Sequence, residues 1–261
     1  IYDSPDEEVN DYVEFKDGRI FERVSLPQRL GGRTVGRVWN FRDITAFKRS
    51  EHNLQETLKT LRRALGGTIQ AIALTVEKKD PYTAGHQQRV SDLARAIATE
   101  LRLPAQTIDG IRLAGSIHDI GKNCVPADIL SKPGKLTDHE FGIIKTHPEV
   151  GFEILRGIRF PWPIAKAILQ HHERIDGSGY PAGLKGTDII IEARVIAVAD
   201  VVEAISSHRP YRPALGTSVA LHEITKGRGI IYDADAVDAC VRLLKEKEFR
   251  FRFSNWNYGP G

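Results

Sequence analysis

Five histidines and two aspartates stand at positions where helical spacing turns them toward a protein interior. His86 lies four residues before Val90, in a stretch whose apolar positions are Val90, Leu93, Ala94, Ile97 and Leu101, so its imidazole falls on a buried helix face. "AGSIHDIGK" sets His118 and Asp119 at the end of another apolar helix, and "KTHPEVG" sets His147 beside a proline near a helix start. "LQHHERIDGSGYP" carries His171 and His172 side by side where an apolar segment runs into a glycine loop. "ARVIAVADVVEAI" buries Asp200 in a run apolar on nearly every side, where an isolated carboxylate costs on the order of several kcal/mol unless a cation neutralises it. Imidazole and carboxylate without thiolate form a ligand set for iron, manganese, zinc or nickel. Seven such groups exceed what one ion with an open position uses, so two metal ions are the economical inference, and they give both adjacent imidazoles a reason to reach inward. A core that satisfied all seven without metal would be a rarity. The other histidines, His52, His139, His208 and His222, have surface-like neighbours.

The elements that must hold these groups are mostly helical. From residue 68 to 250 the apolar spacing stays near 3.6, broken at Pro104, Pro126, Pro133-Gly134, Pro148, Pro161, Pro163 and the glycine loop. This predicts an all-helical bundle with its functional residues projecting inward from several helices. Before it, Tyr12 to Thr45 alternates and is punctuated by Asp17-Gly18 and Gly31-Gly32, which predicts antiparallel strands at 12–16, 19–26 and 33–43. Between the two, Leu54, Leu58, Leu61, Leu65, Ile69, Ile72 and Val76 recur every three or four residues. That stripe suits a coiled-coil homodimer through the 50–76 helix, or, in its second half, the first core helix of the bundle. Gly66-Gly67 is expected to interrupt it, and an extra residue between Leu65 and Ile69 breaks a strict heptad.

Of the 261 residues, 41% are apolar and 27% charged, the balance of an ordinary globular chain. Its 37 basic and 34 acidic residues leave a net charge of +3, too small to argue for long nucleic acid as a partner. No apolar run is long enough for a membrane span, and the opening "IYDSPDEEVN" is acidic where a secretory signal would be basic, so a cytoplasmic location is expected. Cys124 and Cys240 are too few for a disulfide framework, and burial as a small hydrophobe is the expectation for Cys124. A chain that begins with isoleucine and contains no methionine is expected to be a piece of a longer product.

"DPYTAGHQQRV", "HDIGK", "HHERIDGSGYP" and "ADVVEAISSHRPYRPAL" together resemble the HD-GYP subgroup of the HD phosphohydrolase superfamily, over about residues 68 to 250. The resemblance implies a metal-dependent phosphodiesterase that opens cyclic di-GMP to linear pGpG, and often on to GMP, in bacterial second-messenger signalling. It implies that His86, His118, Asp119 and Asp200 hold one divalent ion and that His147, His171 and His172 hold a second, with Asp119 bridging. Iron or manganese is the expected metal, with zinc or nickel as alternatives. Asp119 and Lys122 would be the catalytic pair, Lys122 touching the scissile phosphate. Gly179, Tyr180 and Pro181 would shape the substrate pocket, and Arg209 and Arg212 would clamp the guanine or phosphate end. Some family members bind a third metal through a glutamate where this chain has Tyr82, so two ions are expected here.

"SLPQRLGGRTVGRVWNFRDITAFKRSE" resembles the last strands and exit of a PAS sensor domain. The expected organisation is therefore the C-terminal part of a PAS domain over 1–48, a signalling helix over 49–67, the HD-GYP domain over 68–250 and a tail over 251–261. Two other functions remain open from sequence: a cyclic dinucleotide receptor that does not cut its ligand, and a phosphohydrolase of mononucleotides or another cyclic dinucleotide such as cyclic GMP-AMP.

Overall fold

Alternating side chains pair into a three-stranded antiparallel sheet of order β1-β2-β3, comprising β1 (Val9–Glu14), β2 (Ile20–Leu30) and β3 (Arg33–Asp43). The computed structural model describes residues 6–79, 85–207, 215–247 and 249–251, and the chain divides into two units, 1–67 and 68–261. The first strand lies nearer the N-terminus than its alternation suggested, because Phe15 to Arg19 are consumed by a turn. Phe15 N–H donates to the Arg19 carbonyl, Arg19 N–H donates to the Asp17 carboxylate, and Gly18 takes a φ of +81° that a side chain would strain. The second strand runs on to Leu30 instead of stopping at 26, since the next residues with positive φ are Gly31 and Gly32; a register shift at Gln28/Arg29 absorbs the mismatch.

Helix α1 (Thr45–Lys79) starts where Thr45 donates from both its N–H and its hydroxyl to the Asp43 carboxylate. It runs unbroken through Gly66-Gly67, contrary to the expected interruption. An interior glycine costs a helix only about 1 kcal/mol, and Ile69, Ala73 and Val76 are buried just beyond. The leucine stripe therefore divides: Leu54, Leu58, Leu61, Leu65 and Ile72 are exposed, whereas Ile69 joins the core of the second unit and Val76 is buried.

That second unit continues with α2 (His86–Glu100), α3 (Ala105–Ile117), a 3₁₀ turn (Ile120–Cys124), α4 (Ala127–Leu130), α5 (Asp138–Ile144), α6 (His147–Leu155), α7 (Ile164–Gln170), α8 (Ile191–Ser206), α9 (Thr217–Lys226) and α10 (Ala234–Lys245). Its described residues form no named strand. Helix α2 packs on α3, α8 and α10, while α7 packs on α3, α6 and α8. The core lies between them, with Val90, Leu93, Ala94 and Ile97 of α2 fully buried on the face that also carries His86, each large aliphatic contributing roughly 1.5–3 kcal/mol. No helix among the described residues is long and apolar enough to cross a membrane.

Cys124 is exposed, not buried as expected. It ends the 3₁₀ turn at the surface, and the next residue, Val125, takes the interior position. Cys240 is buried, and burial pushes its thiol up to about 12. His52, His139 and His222 are exposed. Tyr82, His208, Arg209, Arg212 and most of the expected tail lie outside the described residues.

Candidate metal centre

Helix ends bring the inward histidines together and orient them. The last carbonyls of a helix have no partner within it, and three imidazoles use them. His118 Nδ1 lies 2.9 Å from the Gly115 carbonyl at the end of α3. His147 Nδ1 lies 2.7 Å from the Ile144 carbonyl at the end of α5, and His171 Nδ1 lies 2.6 Å from the Ile168 carbonyl at the end of α7. A carbonyl oxygen only accepts, so each Nδ1 carries the proton, and each Nε2 presents a lone pair on the opposite edge. His86, first residue of α2, uses a side chain instead: its Nδ1 is hydrogen-bonded to Glu203 of α8.

All seven sequence-derived candidates meet. The five imidazole rings form a continuous series with centroids 4.0 to 5.3 Å apart, from His86 through His118, His171 and His147 to His172. Asp119 sits among them with its two oxygens facing different sides: Oδ1 is 3.4 Å from His147 Nε2, while Oδ2 is 3.4 Å from His118 Nε2 and 3.9 Å from His86 Nε2. Asp200 Oδ1 is 3.3 Å from His86 Nε2 and 3.9 Å from His118 Nε2. Among the described residues two groups could hold a cation, Asp119 with His147, His171 and His172, and Asp119 with His86 and His118.

The donor chemistry fits divalent metal. His147 Nε2 and His171 Nε2 approach to 3.3 Å with both protons held on the other nitrogens, so two lone pairs point at one another with no hydrogen between them. His118 Nε2 is buried without a hydrogen-bond partner. Buried acceptors left this way are costly; one cation among Asp119, His147, His171 and His172 would satisfy the first two, and a second beside His86, His118 and Asp119 would satisfy the third.

Charge is arranged to match. Burial pushes His147 down to about 4 and His172 down to about 3, and it drives His171 well below the ordinary imidazole value, so these three are neutral at neutral pH, the form in which an imidazole can bind a metal. Burial opposes the charge on Asp119, but Lys122 and the neighbouring histidines outweigh it and hold the carboxyl well below its usual range. Asp200 is likewise held well down against burial, chiefly by His86 and His118. His86 is the exception. Burial alone would lower it, yet Asp200 and Glu203 raise it to about 9, so a proton shares the face that a cation would take.

These directions predict how stability changes with pH in chelated protein. His147 and His172 stay neutral in the fold down to about 4 and about 3, whereas the unfolded chain takes up those protons at the ordinary 6.5. Stability therefore falls as pH drops from 6.5 through that window, by on the order of 3 kcal/mol for His147 and on the order of 5 kcal/mol for His172. The contribution of His86, complete below 6.5, is lost as pH rises through about 9. Denaturant unfolding in EDTA should give a maximum near pH 6.5; a flat profile between pH 6.5 and 4 would contradict this electrostatic account.

Backbone close approaches assemble the centre. A Cβ on Gly121 would overlap the His147 carbonyl oxygen, so only glycine lets the 3₁₀ turn carrying Asp119 and Lys122 press against the start of α6. A Cβ on Gly179 would overlap the Arg174 backbone nitrogen, and this lets the loop fold back onto residues 173 and 174. Glu173, buried, accepts from the N–H groups of Ala182 and Leu184 and ties the loop down, while Tyr180 N–H donates to the His172 carbonyl. The Tyr180 ring thereby stacks on His172, centroids 4.8 Å apart and planes 28° apart. Pro181 follows through a cis peptide. Lys122 Nζ reaches Asp119 Oδ2 at 2.6 Å and remains partly exposed. The buried Gln170 accepts from Ile190 N–H and so fixes the start of α8 against the end of α7.

Glu203 escaped the sequence reading. It is fully buried, paired with His86 and with Arg89 Nε at 2.7 Å, and it accepts from the Ser207 hydroxyl at 2.6 Å. The signal was present as two matched spacings, Asp200/Glu203 and His86/Arg89, each three residues apart on the facing helices α8 and α2. A carboxylate behind a ligand imidazole fixes its orientation and basicity. Glu203→Gln should weaken Mn²⁺ binding about 10- to 100-fold, read by chelator competition. Unchanged affinity would show that His86 needs no such brace.

Known proteins place this arrangement in context. The family model for the HD domain matches residues 70–236. Over 197 residues the chain is 40% identical to the cyclic di-GMP phosphodiesterase response regulator RpfG of Xanthomonas campestris, covering 74% of this chain and 52% of that protein. Over 235 residues it is 33% identical to 3′3′-cGAMP-specific phosphodiesterase 1 of Vibrio cholerae, covering 86% and 53% respectively. The chain thus spans about half the length of these curated relatives. Among solved structures, Bd1817, an HDG"Y"P protein from Bdellovibrio bacteriovorus, shares the fold with a TM-score of 0.55 at 17% identity, covering 92% of this chain and 96% of that one. By its matched sequence and its helical architecture, the chain belongs to the HD domain family.

Proposed function

We propose that this chain is a bacterial, metal-dependent phosphodiesterase that opens cyclic di-GMP to linear pGpG, and on to GMP. The observation that carries this reading is the pair of facing lone pairs on His147 and His171 beside an aspartate whose two oxygens face separate sets of imidazoles. Relatives named as cyclic di-GMP phosphodiesterases support the substrate.

Two divalent ions, iron or manganese before zinc or nickel, would be held by His86, His118, Asp119 and Asp200 on one side and by His147, His171 and His172 on the other, with Asp119 shared. Bound there, such a pair supplies activation of a water molecule and neutralisation of phosphate charge. The chain's own residues do the rest. The Lys122 ammonium, held by Asp119 and partly exposed, would offer positive charge to the phosphate oxygens that gain negative charge on attack. Glu203 and the helix-end carbonyls keep the imidazoles in one tautomer and one orientation. Gly179, Tyr180 and Pro181 form the wall beside His172, and the Tyr180 hydroxyl, pushed up by burial, stays protonated and able to donate. Arg209 and Arg212, which lie outside the described residues, would clamp the guanine or phosphate end of the ligand.

Around this enzyme we place a cytoplasmic setting, a C-terminal PAS portion over 1–48 and a homodimer through the exposed Leu54, Leu58, Leu61 and Leu65 of α1; a single-chain mass in sedimentation at high concentration would remove the dimer. The test of function is anion-exchange analysis of cyclic di-GMP incubated with Mn²⁺- or Fe²⁺-loaded protein. The reading expects pGpG that disappears with EDTA. Ligand recovered whole would make the chain a receptor, and faster turnover of 3′,3′-cGAMP would move the substrate.

A further inference from the structure

Beside the metal cluster, α5 presents a cation and an aromatic ring that the proposed chemistry does not use. Phe141 and Lys145 are four residues apart, so they share one face of that helix and its cap. The Lys145 ammonium lies 4.7 Å from the centroid of the Phe141 ring and 5.4 Å from that of Tyr180. Tyr180 in turn stacks on His172. Ring contacts thus lead outward from the cluster through His172 and Tyr180 to Lys145 and Phe141, and the last two are exposed.

This ledge is firmly based and electrostatically open. Helix α5 begins in a capping box, with Glu140 N–H donating to the Thr137 hydroxyl and Thr137 N–H donating to the Glu140 carboxylate. The same carboxylate takes the Lys132 ammonium at 2.7 Å from both oxygens. Glu140 is thereby engaged, and among the described residues no carboxylate lies within ion-pair range of Lys145. An unneutralised ammonium between two aromatic faces, next to a site for a phosphodiester, suits a ligand that carries a second phosphate and a planar base a short distance from the first.

We propose that Phe141, Lys145 and Tyr180 bind the non-reacting half of a cyclic dinucleotide: Lys145 takes the second phosphate and Phe141 stacks on its base. This rests on the phosphodiesterase reading and gives that site its selectivity for a ligand with two phosphates. A single-phosphate diester reaches the metal cluster and Lys122 without touching the ledge.

The test compares two substrates, cyclic di-GMP and bis(4-nitrophenyl) phosphate, on Mn²⁺-loaded protein. Lys145→Ala should raise KM for cyclic di-GMP about 10-fold or more, the loss of one charge-assisted contact, with kcat within about 2-fold and hydrolysis of the small diester unchanged. Lys145→Arg should restore KM. Phe141→Ala should raise KM in the same selective way, and Phe141→Trp should restore it. An unchanged KM for cyclic di-GMP in Lys145→Ala overturns the proposal. So does an equal fall with both substrates, which would reduce Lys145 to a brace for the Tyr180 loop. If unaltered protein cleaves the small diester but not cyclic di-GMP, the substrate reading itself fails and the ledge fails with it.

Discussion

Asp119→Asn will lower cyclic di-GMP turnover on the order of 10³-fold or more and will deplete bound metal, while the protein stays folded. The amide keeps the shape of the carboxylate but loses its charge, and one of its two ends becomes a donor. Whichever way it turns, an NH₂ then faces either His147 Nε2 or the pair of His86 and His118, where the carboxylate has an oxygen on each side. Removing one preorganised electrostatic contact from an active site commonly costs about 10²- to 10³-fold in rate, and this group serves both candidate ion sites together. Its loss also leaves Lys122 without its anion, though Lys122 is partly exposed and water can replace part of that contact. Circular dichroism and metal content on the same sample separate a lost centre from a lost fold. A variant with full metal and undiminished turnover contradicts the assignment.

The second large effect is steric and lies one step from any ligand. Gly121→Ala places a methyl group onto the His147 carbonyl oxygen and close to the Gly151 nitrogen, 2.7 Å away. Both obstacles are backbone, so no side chain can swing aside and the 3₁₀ turn must move off α6. Overpacking of this kind costs about 1–3 kcal/mol and sometimes more, and with immovable neighbours the upper end is expected. The displacement separates Asp119 from His147, so metal affinity falls further than stability does. Thermal unfolding of chelated protein reads the first effect and chelator competition the second. If Gly121→Ala binds metal as the unaltered protein does, the close approach is not what brings the two elements of the centre together.

Much of this architecture is written locally. His86, His118, His147, His171 and Asp200 stand at helix ends or on apolar faces that periodicity exposes, so the helical bundle and the inward direction of these groups could be read from spacing. Where spacing failed, a tertiary contact decided. The pair Gly66-Gly67 has poor helix propensity, yet α1 passes through it because packing of Ile69, Ala73 and Val76 outweighs a small local penalty. Cys124, expected to be buried as a small hydrophobe, emerges where the 3₁₀ turn ends, and Val125 takes the buried place. Glu203 looked like an ordinary helical glutamate until α2 was set opposite α8, because its partners, His86 and Arg89, are more than a hundred residues away in sequence. The pairing of three imidazoles with helix-end carbonyls was equally hidden, since it depends on where each helix stops.

Cations are the proposed partners of the inward lone pairs. The most direct test of that pairing is elemental analysis by inductively coupled plasma mass spectrometry of protein purified without chelator and loaded with Mn²⁺ or Fe²⁺. Close to two ions per chain, falling sharply in Asp119→Asn, is the expected result. A folded protein that retains no stoichiometric metal would contradict the account.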